Sequence, residues 1–328
     1  MKLEASIIAF LDHRRARGLV SDSLKQYKRH LDDWQRWRTR QELGDDLHDI
    51  RLDELDAFFS YLAVEHVPHV RNPHRPAGAS ARVAPATLVA YRRTLKAWWR
   101  FCARRHWLRD DQRDFFEADG VPIPQIPDEA RDACDEQILQ QLVDACGDDG
   151  AEEAARNKAI LWLLFESGMR VSELCSLNDA QLEHRERRAL ITGKGRRREY
   201  VFWHARTAAA LLRYLRVRSG ERGGQQPVFR GLNSRNRGRL TTDGVRSMIR
   251  RVAAKAGVAL PAGSPVHWIR RGFIQHCLDA GLDLVEVQQL ARHKDVTTTM
   301  IYAKRKTDRL QRAHDRAFGS GKRSESGQ

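Results

Sequence analysis

At 328 residues with 41% hydrophobic content, the chain is long enough for about two domains, each with its own core. The formal charge of +15, from 58 Lys and Arg against 43 Asp and Glu, points to a polyanionic partner, nucleic acid first. The longest unbroken apolar run, Ala159 to Phe165, falls far short of the roughly 18 residues of a membrane span, which excludes a transmembrane helix.

Glu4 and Asp12 interrupt the N-terminal apolar residues, so no secretory segment is expected. The five Cys, at 102, 134, 146, 175 and 277, form no C-x-x-C pair and are expected to be buried thiols in a reducing, cytoplasmic compartment. Charge then divides the chain into three. Residues 1–110 carry net +7, 111–153 net −12 and 154–328 net +20, as two basic lobes gripping one polyanion would.

The first lobe, 1–110, reads as helical. In SDSLKQYKRHLDDWQRW, Leu24, Tyr27, Leu31 and Trp34 recur at three- and four-residue steps behind a Ser-rich start suited to capping. A loop rich in Pro, His and Arg, His66 to Pro85, leads into a second run: Leu88, Tyr91, Leu95, Trp98, Trp99 and Cys102. Lys25, Lys28, Arg29, Arg92, Arg93, Lys96 and Arg100 lie between the apolar positions, where they meet either phosphates or solvent. Trp34, Trp37, Trp98 and Trp99 can stack on bases, but helical spacing favours the core.

Pro122, Pro124 and Pro127 in VPIPQIP block helix propagation, so 111–130 is expected to be an extended linker. Beyond it, helices are expected over 135–146, 153–166, 205–218, 241–256, 267–280 and 283–291. Ala189 to Thr192 and Glu199 to Trp203 form a hairpin whose turn holds Gly193 and Gly195. The predicted fold class is mainly α with a small antiparallel β-sheet: a helical N-terminal domain, a mixed second domain over 131–315, and a flexible tail, 316–328, rich in Gly and Ser.

Five pieces of the second lobe gain meaning together: Arg170 in ESGMRVSEL, Lys194 in TGKGRRREY, His267 with Arg270 in HWIRR, His293 in ARHKDVTTTMIY, and Tyr302. Each is weak alone. H-x-x-R occurs four times, at His48, His106, His184 and His267, and only the last stands in order with the others.

In that order and spacing the chain resembles the tyrosine site-specific recombinases, or phage integrases. The similarity runs through HWIRRGFIQHCLDAGLDLVEVQQLARHKDVTTTMIY and covers about residues 130 to 315. Over 1–110 it extends only to the size, pattern and position of the family's helical core-binding domain. There are departures: Arg271 stands where the family commonly has His, Ala291–Arg292–His293 replaces Leu-Gly-His, and Ser167–Gly168–Met169 replaces Thr-Gly-Leu. None removes a group the reaction requires. The resemblance implies cleavage of double-stranded DNA through a 3′-phosphotyrosyl bond with a free 5′-hydroxyl, and a homotetramer on paired sites.

The residue types suit that chemistry. Resealing a phosphodiester without added energy requires a covalent intermediate on a side chain, and the Tyr302 phenol fits. Guanidiniums hold the non-bridging oxygens with paired hydrogen bonds, a role for Arg170 and Arg270. The leaving alkoxide needs an acid, Lys194. His267 and His293 remain to orient the phosphate and to handle the phenol proton. Glu173, within one helical turn of Arg170, is expected to hold that guanidinium. No metal or small-molecule cofactor is expected, because the phosphotyrosine conserves the bond energy. Loop 66–85 favours mobile-element integration and excision as the biological task. Two rivals share part of the pattern: a nick-and-reseal topoisomerase, and a DNA-binding regulator with a vestigial site.

Overall fold

Leu31, Trp34, Leu95 and Trp98, all from the two periodic runs, are completely inaccessible to solvent, because spacing at three and four residues collects them on one face of each helix. The computed structural model describes residues 1–19, 21–66, 83–117, 121, 132–148, 150–193, 198–221, 223–232, 238–261 and 263–293. The chain divides into two units, Met1–Glu129 and Ala130–Gln328.

The first unit contains α1 (Leu3–Ala16), α2 (Ser21–Arg40), α3 (Leu52–Val64) and α4 (Pro85–Arg104). Pro85 sits in the first turn of α4, where its missing N–H costs nothing. The tryptophans belong to the core. Trp34 stacks on Trp37 at 5.4 Å and meets Phe58 edge-on at 4.9 Å, and the Trp99 indole N–H donates to the Gln112 carbonyl at 2.7 Å. A buried ion pair, Arg38 with Glu54, ties α2 to α3.

Arg92 and Lys96, two of the basic residues expected between apolar positions, are held by backbone carbonyls. Arg92 is buried and donates from Nε to the Val121 carbonyl at 2.9 Å, and Lys96 donates to the Phe116 carbonyl at 2.7 Å. Lys25, Lys28, Arg29, Arg93 and Arg100 are exposed. The extended linker expected from residue 111 is folded at its start: Gln112 donates to the Leu47 and Ile50 carbonyls at 2.9 and 2.8 Å, and Phe116 and Val121 join the core. The prolines begin only at 122, and the residues upstream of them carry apolar side chains that have a core to enter.

The second unit is built on α6 (Glu152–Ser167), which is buried on nearly every side. Its middle is the long apolar run, which packs on all faces as a central helix must. Around it lie α5 (Glu136–Asp144), α7 (Val171–Ser176), α8 (Ala205–Val217), α9 (Thr242–Ala256), α10 (Pro265–Asp279) and α11 (Leu284–Ala291). The sheet has the order β1 (Leu182–Glu183), β2 (Arg188–Thr192), β3 (Arg198–Phe202), antiparallel, with Ala189 facing Val201 and Ile191 facing Glu199. Ala189, Ile191 and Val201 point inward while Tyr200 and Phe202 are exposed, the alternation of a half-buried sheet. At two residues, β1 is too short for any periodicity to reveal. No helix among the described residues is long and apolar enough to cross a membrane.

Candidate active site

Gly168 ends α6 with φ of 56°, a left-handed turn that glycine adopts without steric cost. A side chain is also barred there: a Cβ would stand 2.2 Å from Phe273. The turn sends the chain into Arg170, the N-cap of α7. Glu173, three residues on, accepts the Arg170 amide at 2.7 Å through Oε2 and the Arg170 guanidinium at 2.7 Å through Oε1. One carboxylate thus caps the helix and aims the arginine.

His267 and Arg270 lie three residues apart on α10, so they share a face. His267 is exposed and Arg270 buried. Arg270 donates through its two Nη atoms to the carbonyls of Gly168 and Ala291. Arg170 donates from Nη2 to the carbonyl of Arg292 at 2.8 Å. Consecutive carbonyls at the C-terminus of α11 therefore hold one arginine each, at the helix end where carbonyls lack partners and the dipole favours cations. His293 follows at once, half-buried, its amide bonded to the Gln288 carbonyl at 3.0 Å.

The electrostatics are those of an anion site. Burial, followed by Arg270, Arg170 and Arg292, lowers the His293 imidazole to about 4; the exposed His267 is also lowered, by partial desolvation of its ring and then by Arg270 and Arg271. Both shifts favour the neutral ring. Burial alone would raise the Glu173 carboxyl, but Arg292 and Arg170 hold it below the usual range.

Of the site residues expected from sequence, Arg170, Glu173, Arg270 and His293 are linked through the turn at 168–170 and the end of α11, with His267 on the same α10 face as Arg270. Lys194 and Tyr302 lie outside the described residues, as do residues 316–328. Sequence reasoning missed Arg292, noted only as a departure. Its side chain is buried and reaches Glu173 at 3.2 Å. The available signal was an arginine in a helix-ending position directly before His293.

Two guanidiniums, Arg170 and Arg292, share the Glu173 carboxylate, and Arg270, His267 and His293 stand on the adjoining elements, a cluster whose surplus of positive charge suits an anion. The model described as the phage integrase family matches residues 133–309, and the chain belongs to that family. It is an enzyme of the tyrosine-recombinase class, acting in site-specific DNA recombination. Tyrosine recombinase XerC of Neisseria gonorrhoeae is 32% identical over 236 residues, 71% of this chain and 74% of the relative. Tyrosine recombinase XerD of Xanthomonas campestris pv. campestris is 28% identical over 328 residues, 97% of this chain and 93% of the relative. In fold, the chain is similar to the Tn1549 transposon integrase in complex with transposon right end DNA (TM-score 0.72, 17% identity, covering 97% of this chain and 99% of that one). It is likewise similar to a lambda integrase dimer bound to a COC′ core site (TM-score 0.66, 14% identity, covering 100% and 99%).

Proposed function

We propose that this chain binds double-stranded DNA and exchanges its strands through a 3′-phosphotyrosyl intermediate on Tyr302. The observation that carries this reading is the placement of Arg170 and Arg270 on consecutive carbonyls at the end of α11, next to the neutral His293. Arg170 and Arg270 receive the non-bridging oxygens, whose charge grows in the transition state. Lys194 protonates the departing 5′-oxygen. His267 and His293 orient the phosphate and exchange the phenol proton, and Glu173 holds Arg170. Attack by the phenol breaks the bond from phosphorus to the 5′-oxygen and forms the bond to tyrosine; the liberated hydroxyl of another strand reverses the step.

Residues 1–110 serve as the core-binding domain, and four protomers act on paired sites. The C-terminal segment beyond Tyr302 is the proposed link to a neighbouring protomer. Mobile-element integration and excision is the task that the Pro-, His- and Arg-rich stretch 66–85 favours. A nicked duplex, selected from a random pool by binding, tests the chemistry: denaturing gels should show a covalent adduct with the protein that is lost in Tyr302→Phe. Tight binding with no adduct would make the protein a regulator with a vestigial site.

A further inference from the structure

Arg292 closes α11 with φ of 54° and ψ of 45°, a left-handed conformation that disfavours any residue with a Cβ. An arginine there costs stability unless its side chain returns something. That side chain does not reach into water. It turns inward, 4% exposed, and Nη1 donates to the Leu290 carbonyl at 2.7 Å while Nη2 donates to the Gly168 carbonyl and to Glu173 Oε2, both at 3.2 Å.

These contacts interlock with those of both phosphate-holding arginines. The Gly168 carbonyl also accepts Arg270, Glu173 also accepts Arg170, and the carbonyl of Arg292 itself accepts Arg170 at 2.8 Å. Arg292 thus touches the Arg170–Glu173 pair with both its backbone and its side chain. Its charge matters as much as its reach. A lone Glu173 would cancel most of the Arg170 charge, whereas a carboxylate shared between two guanidiniums leaves the cluster net positive towards an incoming phosphate.

We propose that Arg292 is a positioning residue for strand cleavage: through Glu173 it fixes the orientation of Arg170 and preserves the positive charge that Arg170 offers to the scissile phosphate. This rests on the reading of Arg170 as a phosphate ligand. Removing a partner that orients a site residue costs about 10- to 100-fold in activity. If Arg292 served only the turn, glycine would be the better residue, since it adopts a positive φ without strain.

Arg292→Gly separates these roles, because it keeps the turn and removes the guanidinium. Single-turnover cleavage of the nicked duplex, measured well below the variant's own melting temperature, should fall about 10- to 100-fold, with DNA affinity close to that of the natural protein. Arg292→Lys, which restores charge without the fan of contacts, should recover only part of the rate. In Arg170→Ala, adding Arg292→Gly should cause little further loss, because the second residue acts through the first. Natural cleavage rates in Arg292→Gly, or losses that multiply in the double variant, overturn the proposal while leaving the recombinase reading intact. One readout needs no cleavage at all. Carbon-13 titration of Glu173 should show its carboxyl rising in Arg292→Gly, and an unchanged midpoint overturns the proposal even if the natural protein fails to cleave.

Discussion

Gly272 lies on α10 two residues beyond Arg270, where the segment leading into α5 crosses the helix. A Cβ at this position would stand 1.9 Å from the Cys134 carbonyl oxygen and 3.1 Å from Phe165. Two bonds pin the crossing: the Cys134 amide to the Trp268 carbonyl at 3.3 Å, and Arg271 Nε to the Asp132 carbonyl at 2.7 Å. For Gly272→Ala, helix propensity alone predicts a gain of about 1 kcal/mol. Packing predicts the opposite. Reaching even 3.0 Å from that oxygen requires a shift of about 1.1 Å, and the obstacle is backbone, so no side-chain rotation relieves it. Overpacking of this kind costs about 1–3 kcal/mol, and straining the Cys134 bond costs about 1 kcal/mol more. The net expectation is destabilisation by about 1–3 kcal/mol, read by calorimetry as a melting temperature lowered by about 2–4 °C per kcal/mol for a unit of this size. Moving α10 by an ångström also withdraws Arg270 from its two carbonyls, so single-turnover cleavage should fall by about 10²-fold. A melting temperature at or above that of the natural protein would refute this reasoning, since propensity would then have outweighed the contact.

Glu173→Gln leaves the buried Arg292 guanidinium, and the half-buried one of Arg170, without their carboxylate and should destabilise the second unit by about 3–5 kcal/mol; an unchanged denaturant midpoint argues against the shared pair. His293 should titrate with a midpoint about 4, followed by its ring resonances. Because the unfolded ring titrates near 6.5, the unfolded state binds the extra proton between those values, so this residue's contribution to stability is full above 6.5 and is lost as pH falls towards 4. A midpoint near 6.5 in the free protein contradicts the positive, dry surroundings assigned to the ring. DNA affinity should fall about 10³- to 10⁵-fold between 50 and 200 mM salt if six to ten phosphates are neutralised; a flat response argues against charge-driven DNA binding.

What the sequence revealed followed from local rules. The helices of the second unit are marked by apolar periodicity, and the β2–β3 hairpin by alternation about a glycine turn, because each segment had to present one face to the core. Tight spacing of Arg170 and Glu173 made their pairing legible, since three residues is one turn. The capture of Arg170 and Arg270 by the carbonyls of residues 292 and 291 was not legible: it depends on α10 and α11 returning to the end of α6, a tertiary event. Arg92 misled for a related reason, because whether a cation between apolar positions meets phosphate or buried carbonyls depends on where 116–121 packs. Arg292 was visible only as a departure from the family's Leu-Gly-His, and its carboxylate partner, Glu173, lies 119 residues away in sequence.

The most direct measurement is the chemical location of the bond between protein and DNA. After reaction with the nicked duplex, nuclease and trypsin digestion should leave a nucleotide remnant, read by mass spectrometry, on Tyr302 within the peptide spanning residues 295–304. A remnant on any other residue, or a natural protein that exchanges strands with no remnant at all, would contradict the account.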